Sequence, residues 1–297
     1  QLSKVHYIPP LTAQDDPGDQ WLYISTPSTT DVKYQIKIGG VQGVTADSGT
    51  LYNEGVVSNN NPAVVSLADD PGNTNGWWSN LFVELDQTEQ ILNRGFIVEA
   101  ESEVYVSVRM NSDGQQYQAG ALVSKGKSGL GTRFWAGMLQ NQTALHVGFV
   151  SVMATEDQTV ISYNFSKDIN TIGGEKKVGI PLLVTLDKGE SYILASQEFQ
   201  DGLIGTSITS TKPIVVNSGS ASGSFETSTG GQDYGIDQIV GADLVGSEYI
   251  FIRGNGNNGW ENVLLIADQD NTEVIVNGTS IATLNTGGYV ILEGDNY

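Results

Sequence analysis

Apolar and polar residues alternate with a period of two along much of this chain. Val104, Val106 and Val108 alternate with Tyr105 and Ser107, the pattern of a strand whose two faces meet different surroundings. Strand, polar turn and strand follow one another in Ile24–Val32, Met153–Val160 and Ile266–Val274. Polar residues that bond their own backbone start such turns, and the flanking β-branched residues extend into strands. The unit this predicts is a β-meander.

Internal similarity extends these hairpins into one unit of about a hundred residues, present three times. Asn75-Gly76-Trp77-Trp78-Ser79-Asn80-Leu81-Phe82-Val83 resembles Asn258-Gly259-Trp260-Glu261-Asn262-Val263-Leu264-Leu265. The turns Leu92–Phe96, Leu186–Tyr192 and Leu284–Tyr289 also resemble one another. Gly131-Thr132-Arg133-Phe134-Trp135 and Gly246-Ser247-Glu248-Tyr249-Ile250 open the second and third copies, while Val104–Val108 and Lys212–Val216 close the first and second. These landmarks divide the chain into a tail over 1–18, module 1 over 19–125, module 2 over 126–235 and an incomplete module 3 over 236–297. The third copy lacks a closing strand, so the native chain is expected to continue. The fold class this implies is all-β, with tandem β-sandwich or propeller-like modules.

Composition narrows the function. Charged residues make up 16% of the chain and 36 residues are Gly, which suits short strands and tight turns rather than long helices. Lys and Arg number 14 against 34 Asp and Glu, a formal charge of −20, which repels nucleic acid and anionic headgroups and favours divalent cations or neutral ligands. The absence of Cys excludes disulfides, thiolate metal sites and cysteine nucleophiles. No run approaches the roughly 18 apolar residues that span a bilayer. The start at Gln1 without Met fits a removed signal peptide and an extracellular, cell-surface location.

Four segments carry a resemblance to a known family. They are Lys125–Phe134, Val150–Val160, Ser210–Val216, and Asp237–Val240 followed by Gly246–Ile250. In order and spacing they resemble the N-terminal domain of IgGFc-binding proteins, found in large secreted proteins of Bacteroidota and in animal mucin-like proteins. One departure is Val240-Gly241, where the family often has Pro after Asp-Gln-Ile. The resemblance implies surface adhesion or display, export by type IX secretion as in gliding-motility adhesins, and no catalytic residues.

Candidate chemistry is sparse. His6 precedes Pro9-Pro10 and His146 lies in an apolar stretch, with no serine elbow beside either. Clustered carboxylates in turns suit Ca2+: Asp15, Asp16 and Asp19 in one cluster, Asp69 and Asp70 in a second, and Asp268, Asp270 and Glu273 in a third. The bland reading of each cluster is a polar turn. Trp77, Trp78 and Trp260 beside Asn75, Asn80 and Asn258 have the chemistry of a sugar site, an aromatic face next to amides. One Trp per module in a core is the competing reading.

The expected function is a non-catalytic segment of a large secreted adhesin whose loops meet a surface glycan or protein ligand. Its other expected partners are the outer-membrane secretion and motility machinery and the remainder of its own chain, with neither nucleic acid nor inserted membrane. The alternatives are a glycan-active enzyme or its carbohydrate-binding accessory module, and a structural spacer.

Overall fold

The computed structural model describes residues 1–13, 17–40, 49–67, 79–111, 119–225, 232–256, 261–295 and 297. Among them the only helical segments are short 3-10 turns, and the chain is all-β. Module 1 contains β1 (Ser3–Ile8), β2 (Leu11–Thr12), β3 (Asp19–Ser25), β4 (Val32–Ile38), β5 (Leu51–Val57), β6 (Ala63–Ser66), β7 (Phe82–Val83), β8 (Phe96–Asn111) and β9 (Ala119–Val123). Residues 3–8 are therefore not a tail. In β1 the side chains of Ser3, His6 and Ile8 are buried against β8.

The strand β8, sixteen residues long, serves two half-sheets in succession. Its first half lies between β1 and β4, its second between β3 and β9. With β5 and β6 at the edges, the order is β5-β4-β8-β3-β6. Alternate residues of β8 (Phe96, Val98, Val104, Val106, Val108, Met110) meet Leu22, Ile24 and Ile36 in the core. The outward Glu99 pairs with Lys37 at 2.6 Å and Glu101 with Lys33 at 3.9 Å across the solvent face.

Module 2 repeats this topology. It contains β10 (Gly131–Trp135), β11 (Gln140–Asn141), β12 (Gly148–Ala154), β13 (Thr159–Asn164), β14 (Ile169–Thr171), β15 (Gly174–Lys176), β16 (Leu182–Leu186), β17 (Ser191–Ser196), β18 (Ser207–Ser224) and β19 (Asp233–Ile239). Its order, β16-β13-β18-β12-β17, matches module 1 strand for strand. β18 lies between β10 and β13 in its first half and between β12 and β19 in its second. Pro213 sits where β18 passes from one half-sheet to the other, beyond the β13 ladder that ends at Ser210 and before the β12 ladder that begins at Ile214. A residue with no N–H is tolerated at such a gap.

Module 3 contains β20 (Val263–Ile266), β21 (Thr272–Val276), β22 (Thr279–Leu284) and β23 (Tyr289–Leu292). β20 pairs with β23 and β21 with β22, as β12 pairs with β17 and β13 with β16. Two of the sequence similarities do not mark equivalent places. Asn80–Val83 leads into β7, between β6 and β8, whereas Asn262–Leu265 leads into β20, the module's first paired strand. Leu92–Phe96 precedes the long strand, whereas Leu186–Tyr192 and Leu284–Tyr289 join the third and fourth strands. Short Gly and Asn turns look alike wherever a tight reversal is needed.

The modules share their cores. Val147 and Phe149 of module 2, with Ile193, Ala195, Ala221 and Tyr234, belong to the cluster that fills module 1, and Leu264, Ile266 and Tyr289 of module 3 pack on the core of module 2. The turn after β16 meets module 1 at Gly189, where φ is +81° and a Cβ would lie 2.6 Å from the amide nitrogen of Gly40. Only Gly suits both constraints.

A buried polar seam crosses the same junction. The His6 Nδ1 lies 2.9 Å from the Ser124 hydroxyl, and Nε2 lies 3.0 Å from the Val104 carbonyl and 3.2 Å from that of Ser3. Both neighbours of Nε2 are acceptors, so Nε2 carries the proton and Nδ1 accepts from Ser124. Gln238 donates to the Tyr7 carbonyl at 2.9 Å and Asn217 to the Pro9 carbonyl at 2.8 Å. Burial pushes the His6 pKa down to about 4, against the two carbonyls that favour the charged ring. The unfolded chain therefore binds this proton first, and stability falls as pH drops from about 6.5 to 4, by about 3 kcal/mol in all. Urea unfolding across this window is expected to show that loss in the native chain and a correspondingly smaller loss in His6→Gln; equal losses would contradict it.

Candidate binding surface

The connection from β13 to β16 forms an arm fixed to both complete modules. Its hairpin, β14 and β15, is closed by Thr171 Oγ1 donating to the Gly174 carbonyl at 2.8 Å. Ile172 N donates to the Ala195 carbonyl at 2.9 Å, and Ser196 Oγ to the Asn170 carbonyl at 2.7 Å, which docks β14 along β17. Module 1 contributes Glu89, whose carboxylate accepts from Gly173 N at 2.8 Å and lies 2.8 Å from Lys176 Nζ. Both charged side chains of that pair are largely buried. Removing one partner would leave a charge uncompensated, so the pair fixes where the arm can sit.

Beyond the hairpin the backbone is pinned again. Asp168 accepts from Val178 N at 2.9 Å and from Lys177 Nζ at 2.9 Å, and Lys177 also reaches Glu175. The Val178 amide, followed by Lys177, holds the Asp168 carboxyl below the ordinary carboxylate range. The residues that follow turn outward: Val178, Ile180 and Leu183 are exposed, Ile180 by 66%. Leu183 lies on β16, the edge strand of its sheet. An apolar ridge held by buried anchors and rimmed by charges has the character of a protein-contact surface.

A family model described as IgGFc binding protein matches residues 119–296, more than half of the chain. The chain belongs to this family. No curated protein and no solved structure matches it. The IgGFc binding protein match takes in β9, all of module 2 including the arm, and the strands of module 3. Membership makes the chain a binding module of adhesin-like type. The strands before residue 119 share the topology without falling inside the match.

Of the residues expected to bind sugar or calcium, Asn80, Asp19, Asp268, Asp270 and Glu273 are among the described residues. Asn75, Trp77, Trp78, Asn258 and Trp260, and Asp15, Asp16, Asp69 and Asp70, lie outside the described residues. Asn80 is built into a turn, its Oδ1 accepting from the Arg94 guanidinium at 2.8 Å and its carbonyl from Gly95 N at 2.6 Å. Asp19 opens β3 opposite Asn111. No group of three or more metal-capable side chains forms among the described residues.

The acids of the 268–273 turn have other partners. Asp270 accepts from Thr286 N at 2.9 Å, as Asp157 accepts from Lys188 N at 3.0 Å in module 2. Asn271 N donates to Asn285, as Gln158 N does to Asp187, and both Asn271 and Gln158 have positive φ. The acid in this turn ties the first hairpin to the turn between the third and fourth strands. Glu273 stands exposed on β21 opposite Thr283. Asp268 joins two modules by accepting from the Arg133 guanidinium and, at 2.8 Å, from Trp135 Nε1. Burial would raise its pKa, but Arg133 and Trp135 outweigh that and hold the carboxyl below its usual range.

The arm escaped the sequence reading although Val178-Gly179-Ile180-Pro181-Leu182-Leu183 carries a signal, an apolar run without alternation beside a Pro. Asp268→Ala removes the acceptor of two donors at the module 2–module 3 junction. Calorimetry is expected to show the module 3 transition lowered by about 1–2 kcal/mol, with modules 1 and 2 unchanged. A variant melting like the native chain would show that the junction does not depend on Asp268.

Proposed function

We propose that this chain is a non-catalytic, protein-binding segment of a large secreted cell-surface adhesin, exported by type IX secretion in Bacteroidota and used in adhesion or gliding. The ligand sits on the exposed ridge of Val178, Ile180 and Leu183. The observation that carries the reading is that a member of the IgGFc binding protein family presents an apolar ridge anchored by a buried ion pair to two modules. A pre-ordered apolar surface loses little conformational freedom on binding. The acidic surface, at a formal −20, favours neutral or basic protein faces as ligands.

The family description supplies the first probe, the Fc fragment of IgG, followed by a panel of extracellular matrix proteins on a biosensor. Binding with a Kd of about micromolar order is expected for at least one of them. Ile180→Asp should weaken that binding about tenfold or more, equivalent to about 1.4 kcal/mol, with unchanged melting. Undiminished binding by Ile180→Asp would remove the arm from the account. Failure of every protein probe would overturn the binding reading in favour of a spacer.

A further inference from the structure

Modules 2 and 3 share their turn networks residue by residue. Gly189 N donates to the Ala154 carbonyl at 2.9 Å and Gly287 N to that of Ala267 at 2.8 Å. Thr159 Oγ1 donates to the Glu156 carbonyl at 2.7 Å and Thr272 Oγ1 to that of Gln269 at 2.7 Å. This sets β20 over β12, β21 over β13, β22 over β16 and β23 over β17. In module 2, β18 lies between β12 and β13. In module 3 the corresponding strands pair only outward, β20 with β23 and β21 with β22, and no strand joins the two pairs among the described residues.

Burial registers the same gap. Val150 and Val152 of β12 and Ile161 and Tyr163 of β13 are completely buried beside β18. Their counterparts Val263, Leu265, Val274 and Val276 are only half-buried. A third element has lost the same neighbour. Gly131–Trp135 forms β10 by pairing with the first half of β18, whereas the matching segment after Gly246 forms no strand, and its Tyr249 and Phe251, the counterparts of the buried Phe134 and Ala136, are 55% and 43% exposed. Three separate segments thus present unpaired backbone or apolar side chains toward one absent element.

We propose that module 3 is a strand acceptor, its slot between β20 and β21 filled by the extended segment that follows β23 in chain order. The occupant is assigned by the repeat, because in both complete modules the long strand comes after the fourth paired strand: β8 after β6, β18 after β17. Its chemistry follows as well. It spans sixteen to eighteen residues, as β8 and β18 do, and carries apolar residues at alternate positions in the manner of Val104, Val106, Val108 and Met110. Its first half pairs with the segment 246–252 and with β21, its second half with β20. Main-chain bonds on both edges supply the stability and alternate side chains the register.

The test extends the chain after Tyr297 with a second copy of residues 197–224, the connector and strand that complete module 2. Hydrogen exchange at Val263–Ile266 and Thr272–Val276 should slow at least tenfold, and the fluorescence of a hydrophobic dye bound to the chain should fall. A control extension with the apolar positions moved by one residue should do neither, since that shift turns every apolar side chain to the solvent face. Independently, in the unextended chain the amides of β20 and β21 should exchange at least a hundredfold faster than those of β12 and β13. Equal protection in the unextended chain, identical effects of the two extensions, or a dimer of the unextended chain whose slot is already protected would each overturn the assignment.

Discussion

The long strand of each module is the constraint on which the rest depends. β8 and β18 hydrogen-bond along both edges, and each passes from one half-sheet into the other, so four strands pair with β8 and five with β18. Two facing half-sheets joined in this way enclose a core without a long crossover, and the alternate residues of the strand fill both halves of it. Where the long strand is present, the residues facing it are completely buried. In module 3, where none lies between β20 and β21 among the described residues, the corresponding residues are half-exposed.

The second constraint is that modules do not end at their own surfaces. Phe149 and Ile193 belong to strands of module 2 yet fill the core of module 1, and Leu264 and Ile266 do the same between modules 3 and 2. Along each first strand, one face serves the module's own core and the other its predecessor's. Gly189 permits the close approach of backbones at the first junction, and Arg133 with Trp135 grips Asp268 at the second. Shared cores of this kind make the array stiff, which is what allows module 1 to steady an arm of module 2 through Glu89.

How much of this the sequence disclosed follows the range of each interaction. The all-β class and the first hairpin of every module were legible because period-two alternation and turn chemistry are local, and positive φ at Gln158 and Asn271 falls inside the matching turns. The likeness of Asn80–Val83 to Asn262–Leu265 does not mark equivalent strands, since one leads into β7 and the other into β20. His6 looked like part of a tail because nothing near it in sequence reveals that Val104 and Ser124 are its neighbours. Asp268 and Asp270 look like ion ligands in one dimension. Their partners Arg133 and Thr286 lie 135 and 16 positions away. The arm was hidden for the same reason, since exposure of Ile180 and burial of Glu89 are properties of the assembled modules.

Native-state hydrogen exchange on the unmodified chain, residue by residue along β8 and β18, tests the central claim most directly. Strands paired on both edges and buried on one face open only with the whole module. The doubly paired amides of β8 (96–99 and 107–111) and β18 (207–209 and 216–220), on either side of the crossing between half-sheets, are expected to be the last to exchange, on a common timescale set by global unfolding. Exchange of β18 ahead of its edge neighbours β16 and β17 would contradict the claim that the long strand holds each module together.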